Sequence, residues 1–262
     1  MVRAVQLNRC ISRRTTTIIP LRDCDSCGIR TASICSVLTH ADLRRFETLG
    51  QKVVLRPRAQ LFSEDRPADA VFTVTTGVTR LYRLLPNGSR QVVGFGLPGD
   101  FLGLPLRERY GFSADAAEFM TACRFSRQSF LDFMEGRPVL MRRVYEATVR
   151  SLELAHDQMM LLGRCDARTK IAAFLIGMNA RRAHTGSVSA TVPLPMGRQD
   201  IGDFLGLSIA TVSRTLGRLA GEGLIMVIPK GVRVLDRPRL ERVAGGHAAG
   251  PIPPQAVRSG SR

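Results

Sequence analysis

QDIGDFLGLSIATVSRTLGRLA, Gln199 to Ala220, is the stretch that decides the reading of this chain. Ile201, Phe204 and Leu205 fall at i, i+3 and i+4, one apolar face of a short helix. Gly206 tolerates a left-handed turn, and Leu207 can plug the angle between two helices. Ser208 is a good N-cap for a second helix. That helix is expected to bury Val212, Leu216 and Leu219 and to turn Ala210, Ser213, Arg214, Gly217 and Arg218 outward. No carboxylate occurs from Ser208 to Gly221, as a surface approaching phosphates requires. The pattern is a helix-turn-helix with a candidate recognition helix, and its partner would be double-stranded DNA. The plainer alternative is a helical hairpin with a basic solvated face. Candidate DNA contacts are Ser208, Ala210, Thr211, Ser213, Arg214 and Arg218.

Immediately downstream, GLIMVIPKGVRVL (223–235) alternates around Pro229-Lys230-Gly231 and reads as a β-hairpin wing, with Lys230 at its tip for backbone phosphate. Upstream, Asp166 to Ala183 reads as a helix with Ile171, Phe174, Leu175 and Met178 as its core face, and 185–195 as a loop or short strand. Segment 164–242 carries 13 Lys/Arg against 6 Asp/Glu, within a chain of 262 residues and formal net charge +16. Such an excess favours polyanions.

A long helix is expected from Pro138, a residue that costs nothing at a first helical position. Two apolar stripes run along it. One is Met141, Tyr145, Thr148, Leu152, Ala155, Met159 and Leu162; the other is Leu140, Val144, Ala147, Ser151, Leu154, Gln158 and Leu161. One stripe could pack on this chain and the other on a second copy, as a coiled-coil homodimer. The expected interface comprises Val144, Ala147, Ser151, Leu154, Asp157, Gln158 and Leu161, with Asp157 repelling its own copy. A helix buried on both sides within one subunit is the alternative.

From Lys52 to about Arg127 short β-like runs alternate with turns, among them Asn87-Gly88, a strong hairpin signal. These runs predict a small antiparallel barrel or β-roll. Thr39 caps a predicted helix through Leu43, Phe46 and Leu49. Residues 1–22 show no periodicity and read as a mobile basic arm; residues 243–262 are Gly/Pro-rich and read as a disordered tail. No apolar run approaches a bilayer span, so a cytoplasmic protein without a membrane partner is expected. The four histidines, His40, His156, His184 and His247, are scattered, which argues against a metal-dependent enzyme.

Cytosol keeps thiols reduced, so the cysteine spacing needs its own explanation. Cys24 and Cys27 are spaced x2, Cys35 follows after x7, and Cys123 lies far downstream in the last β-like run. Four thiolates suit either tetrahedral zinc or a [4Fe–4S] cluster. Alternatively Cys123 is a small core residue, and the other three bind zinc or nothing. Cys10 and Cys165 lack partners at ligand spacing and are read as non-ligands.

VVGFGLPGDFLG (92–103), DARTKIAAFL (166–175) and RQDIGDFLGLSIATVSRTLGRL (198–219), with the cysteines, resemble the CRP/FNR regulators, and within them the FNR branch and its FnrN and FixK-type members. The resemblance runs from about Cys24 to Arg242 and implies an α+β fold. An N-terminal antiparallel β-roll of the cyclic-nucleotide-binding kind (23–137) would lead through a dimerisation helix (138–163) to a winged helix-turn-helix (164–242). It further implies a [4Fe–4S] cluster on Cys24, Cys27, Cys35 and Cys123, present without oxygen and lost or converted with it, a homodimer that regulates transcription, and contact with RNA polymerase. The same architecture could instead sense nitric oxide, zinc or thiol redox state. Cyclic nucleotide is disfavoured, because Arg107 is followed by Glu108 and 111–119 lacks the arginine of a phosphate-binding pair. The branch's reading motif is Glu-x-x-Ser-Arg; here Ser213 and Arg214 match, while Ala210 stands where the glutamate would be. A site related to TTGAT-N4-ATCAA, altered where the glutamate would read cytosine, is expected.

Overall fold

The computed structural model describes residues 16–104, 108–184, 186 and 189–245. The chain opens with β1 (Thr17–Pro20) and three short 3-10 turns, Cys24–Ser26, Arg30–Ala32 and Ile34–Val37. Next come α1 (His40–Leu49), β2 (Gly50–Leu55), β3 (Gln60–Phe62), β4 (Ala70–Thr76), β5 (Thr79–Leu84) and β6 (Arg90–Gly96). Then follow β7 (Phe101–Leu102), β8 (Ser113–Ala116), β9 (Met120–Ser126) and α2 (Arg127–Met134). Two antiparallel sheets, in the orders β1-β2-β9-β4-β7 and β3-β8-β5-β6, face each other as the expected β-roll. Phe62, stacked between Tyr110 (4.3 Å) and Phe72 (5.6 Å), fills the inside of this roll together with Phe112.

Two expectations change here. Within the supposed N-terminal arm, Thr17–Pro20 pairs with Gln51–Val54, because β2 offers an edge that β-branched residues can join. The part of the arm before residue 16 lies outside the described residues, as do Cys10 and Arg107. Beyond the predicted limit at 242, α7 (Arg237–Ala244) closes the chain, capped by Asp236 and ended by Gly245 at φ 64°. The expected tail beyond 245, with His247, is outside the described residues.

The long helix expected from Pro138 is α3 (Pro138–Arg164). Val144 packs into the aromatic core around Phe46, Phe125 and Phe130, and Leu161 into the C-terminal core; each is only 6% exposed. Gln158 Nε2 donates to the Phe204 carbonyl at 2.5 Å. Ala147, Ser151, Leu154, Asp157 and Gln158 line a cavity of about 220 Å³ between α3, the roll and the next helix. Of the expected interface, Val144 and Leu161 at its two ends are buried within the chain, while Ala147, Leu154, Asp157 and Gln158 are half-buried beside the cavity and Ser151 is exposed. The other stripe is the more exposed one, with Tyr145 68% and Met159 60% exposed beside Met141, Leu152 and Leu162. Heptad spacing defines two stripes but not which finds a partner first.

The C-terminal part comprises α4 (Ala167–Ala183), β10 (Thr191–Pro193), α5 (Arg198–Leu205), α6 (Ile209–Gly221), β11 (Ile225–Ile228), β12 (Gly231–Val234) and α7. The wing has three strands, β10-β12-β11, since Thr191–Pro193, within the segment expected as loop or short strand, pairs with β12.

Roll and C-terminal part meet along a seam of apolar and ionic contacts. Phe95 on β6, Phe174 on α4 and Phe204 on α5 gather with centroids 5.3 to 6.1 Å apart. Beside them Arg80 holds both oxygens of Asp115, its register partner across β5–β8, at 2.8 Å. The same guanidinium reaches Asp200 on α5 at 3.1 Å. Arg90 contacts Asp200 at 2.5 Å and Asp203 at 2.8 Å, and the Gln91 side chain donates to the Asp203 carbonyl. Arg80 and Asp200 are 8% and 6% exposed, so these are buried charges with partners in place. Burial lowers the proton affinity of Arg80, but Asp115 and Asp200 outweigh it and hold the guanidinium above its ordinary value. Lower down, Arg181 of α4 donates to Asp100 at 2.6 Å, in the turn between β6 and β7.

Candidate functional site, a DNA-reading helix and a four-thiol seam

The helix pair at 199–220 forms from local rules. Gly197 N donates to Asp200 Oδ2 at 3.0 Å, closing the start of α5. Gly206 ends it at φ 65°, and Leu207 N then donates to the Gly202 carbonyl at 3.0 Å. At Gly202 a Cβ would lie 2.5 Å from the Leu207 carbonyl oxygen, so only glycine lets the turn fold this closely onto α5. No local signal in the sequence marks Gly202, because the contact depends on how the turn folds back. Ser208 caps α6 by accepting from Thr211 N at 3.1 Å, and the two hydroxyls are 2.9 Å apart. Ser208 and Thr211 are thus engaged with each other at the helix start, where free backbone N–H groups suit a phosphate.

Val212, Thr215, Leu216 and Leu219 are buried beneath α6, while Ala210, Arg214, Gly217 and Arg218 are exposed and Ser213 half-buried. The Arg214 guanidinium has no hydrogen bond or ion pair among the described residues, which leaves its donor fork open to a base edge. Arg218 differs: its Nε donates to Glu222 at 3.1 Å, and Glu222 also accepts from Arg168 at 2.6 Å. Lys230 stands exposed at the wing tip with φ 57°. The wing reaches this geometry because β12 starts at Gly231, where a Cβ would meet the Val192 carbonyl at 2.7 Å.

At the other end of the molecule, the 3-10 turns bring the N-terminal cysteines against the roll. Cys24 N donates to Glu47 Oε1 on α1 at 3.3 Å, Cys27 N to the Cys24 carbonyl at 3.4 Å, and Cys35 N to Ser33 Oγ at 3.2 Å. Cys123 sits in the middle of β9, between Lys52 of β2 and Thr73 of β4. Cys24, Cys35 and Cys123 all pack against the same aromatic core. Burial pushes the Cys24 thiol up to about 12 and the Cys35 thiol up to about 11, and raises Cys123 as well. After burial, Cys123 is raised by Cys35, Cys24 and Cys27, so the four sulfurs share one electrostatic neighbourhood. Among the described residues no three His, Cys, Asp or Glu side chains are grouped to hold a single metal ion. Cys165 packs instead against the C-terminal core, at the end of α3.

The loop carrying these thiols rests on parts that reach the C-terminal domain. Gly99, at φ 96°, lies so near the loop that a Cβ would sit 3.1 Å from the Ala32 carbonyl. The neighbouring Asp100 is the partner of Arg181 on α4. Arg143 of α3 donates to the Ser33 carbonyl at 3.4 Å. The described histidines stand on separate elements: His40 opens α1, beside Asp25 at 3.1 Å, His156 lies on α3, and His184 follows α4.

No helix among the described residues is long and apolar enough to cross a membrane. Residues 169–243 match the Crp-like helix-turn-helix domain and residues 52–137 the cyclic nucleotide-binding domain. The transcriptional activatory protein AadR of Rhodopseudomonas palustris is 50% identical over 230 residues, covering 88% of this chain and 96% of that protein. The nitrogen fixation regulation protein FixK of Bradyrhizobium diazoefficiens is 49% identical, covering 84% and 93%. Among solved structures, FixK2 of Bradyrhizobium japonicum superposes with a TM-score of 0.69 at 34% identity, over 74% of this chain and 96% of that one.

Proposed function

The chain belongs to the Crp/FNR family of DNA-binding transcriptional regulators, on its FNR branch, and from that premise we propose a homodimeric activator whose DNA binding responds to oxygen through a [4Fe–4S] cluster. The observation that carries the sensing half is that Cys24 and Cys35 of one loop pack with Cys123 of one strand against the same core, with Cys27 in the same loop. Cys24, Cys27, Cys35 and Cys123 would hold the group, which supplies an oxygen-labile tie between loop and roll. A zinc tetrahedron is the competitor. With Zn–S bonds of about 2.3 Å it needs sulfurs within about 4 Å of one another.

Dimerisation is assigned to the more exposed stripe of α3, Met141, Tyr145, Leu152, Met159 and Leu162, since large exposed apolar residues in one row ask for a cover. On DNA, Arg214 would take guanine and Ser213 the neighbouring base of an FNR-like palindrome, Ala210 would touch a thymine methyl, and Lys230 would meet phosphate. RNA polymerase is the further partner of an activator of this kind.

Anaerobic purification tests the sensor. The expected result is a brown protein with absorbance at roughly 400 nm, from thiolate-bound iron–sulfur, that bleaches in air while affinity for the palindrome falls. A colourless protein carrying zinc, or DNA binding indifferent to Cys24→Ser and to air, would overturn it.

A further inference from the structure

α5 and α6 behave as one piece, because the Gly202–Leu207 contact leaves no room for play between them. Whatever orients α5 therefore orients the reading face of α6. The groups that hold α5 are not in its own domain. Arg90 on β6 grips Asp200 and Asp203, Arg80 on β5 supports Asp200, and Gln91 donates to the Asp203 carbonyl. All of them approach from the roll and leave Ala210, Arg214 and Arg218 exposed. The aromatic contacts Phe95–Phe204 and Phe174–Phe204 beside them resist separation but have little directional preference, whereas forked guanidinium–carboxylate bonds fix an angle.

We propose that Arg80 and Arg90 are positioning residues for DNA recognition: through Asp200 and Asp203 they set the angle at which the recognition helix leaves the body, and hence the half-site spacing that a dimer reads. The inference rests on the homodimer reading above. Two half-sites on one face of the duplex are about one helical turn apart. One added or removed base pair rotates the second site away, and a helix pair fixed to the roll cannot follow. Released from the roll, it can.

The test uses the full-length protein and palindromes whose central spacer is the preferred length or one base pair shorter or longer. Arg90→Glu and Asp203→Arg are each expected to lower the preference for the correct spacer about tenfold, less than the full cost of a broken buried charge pair because the part-buried pair acts on spacing only through the helix angle, with binding to an isolated half-site unchanged. The double variant, which restores opposite charges, is expected to regain most of that preference. Unchanged spacing preference in both single variants would overturn the proposal, as would a folded double variant as relaxed as either single. If Arg90→Glu melts below the assay temperature, Arg90→Gln replaces it, with a smaller relaxation expected and none overturning. Sedimentation of the wild type separates this outcome from a failure of the homodimer reading. For a monomer, amide exchange in α5 decides: faster exchange in Arg90→Glu with recovery in the double variant supports the seam, and no change removes it.

Discussion

α5 and α6 are three residues apart and treat charge in opposite ways. α5 carries Asp200 and Asp203, both turned into the molecule and held by arginines from the roll. α6 carries no acid and leaves Arg214 open on the surface. An arginine is thus a brace in one place and a reader in the other, and burial with partners tells them apart. The comparison also reduces what formal charge implies. Of the basic excess in the C-terminal part, Arg168 and Arg218 share Glu222, Arg181 holds Asp100, and Arg237 pairs with Glu241. Arg214 and Lys230, both exposed, are the cations placed for a base edge and for phosphate.

The contrast is broken most severely by Arg80→Met. Asp115 and Asp200 lose their shared cation inside the seam, and denaturant unfolding should show a loss of about 3–5 kcal/mol. A stability close to wild type would mean that water or a rotated Arg90 replaces the brace. Ala210→Glu acts on the other helix and is expected to shift base preference by about 1–3 kcal/mol toward a cytosine at the position it faces. Selection from a randomised palindrome reads that shift, and an unchanged consensus would rule out Ala210 as a base-facing position. Arg214→Ala should lose about 1–3 kcal/mol of discrimination at one guanine, while its unfolding midpoint stays put, the mirror image of Arg80→Met. Lys230→Ala is the mildest: affinity falls alike for all sequences and the slope of log K against log salt shrinks by about 1. A sequence-dependent loss would instead make the wing a base reader.

The helix-turn-helix was legible because its signals are local: an apolar face in α5, a left-handed glycine, a serine cap and a second apolar face in α6 lie within 22 residues. The Asn87-Gly88 turn gave the β5–β6 hairpin for the same reason. What escaped depends on distant partners. Thr17–Pro20 is a strand only because β2 lies open beside it. The positions of α3 engaged within the chain, Val144 and Gln158, are chosen by Phe46, Phe125 and Phe204, none of which the helix's own spacing reveals. Arg80 and Asp200 are 120 positions apart, and nothing in either neighbourhood announces the other. The four cysteines form an intermediate case. Their spacing marks three of them, while Cys123 joins through the pairing of β9 with β2 and β4.

The ionic part of the seam also has a thermal signature. Hydration of charged groups becomes less favourable on warming, so the cost of keeping Arg80, Arg90, Asp115, Asp200 and Asp203 out of water falls as temperature rises, while the gain per unit of apolar contact levels off. Between the aromatic trio and the charged quintet, the second therefore carries a growing share of the join as the protein warms. The alignment of the reading helix is least exposed to heat at the point where it is most finely set.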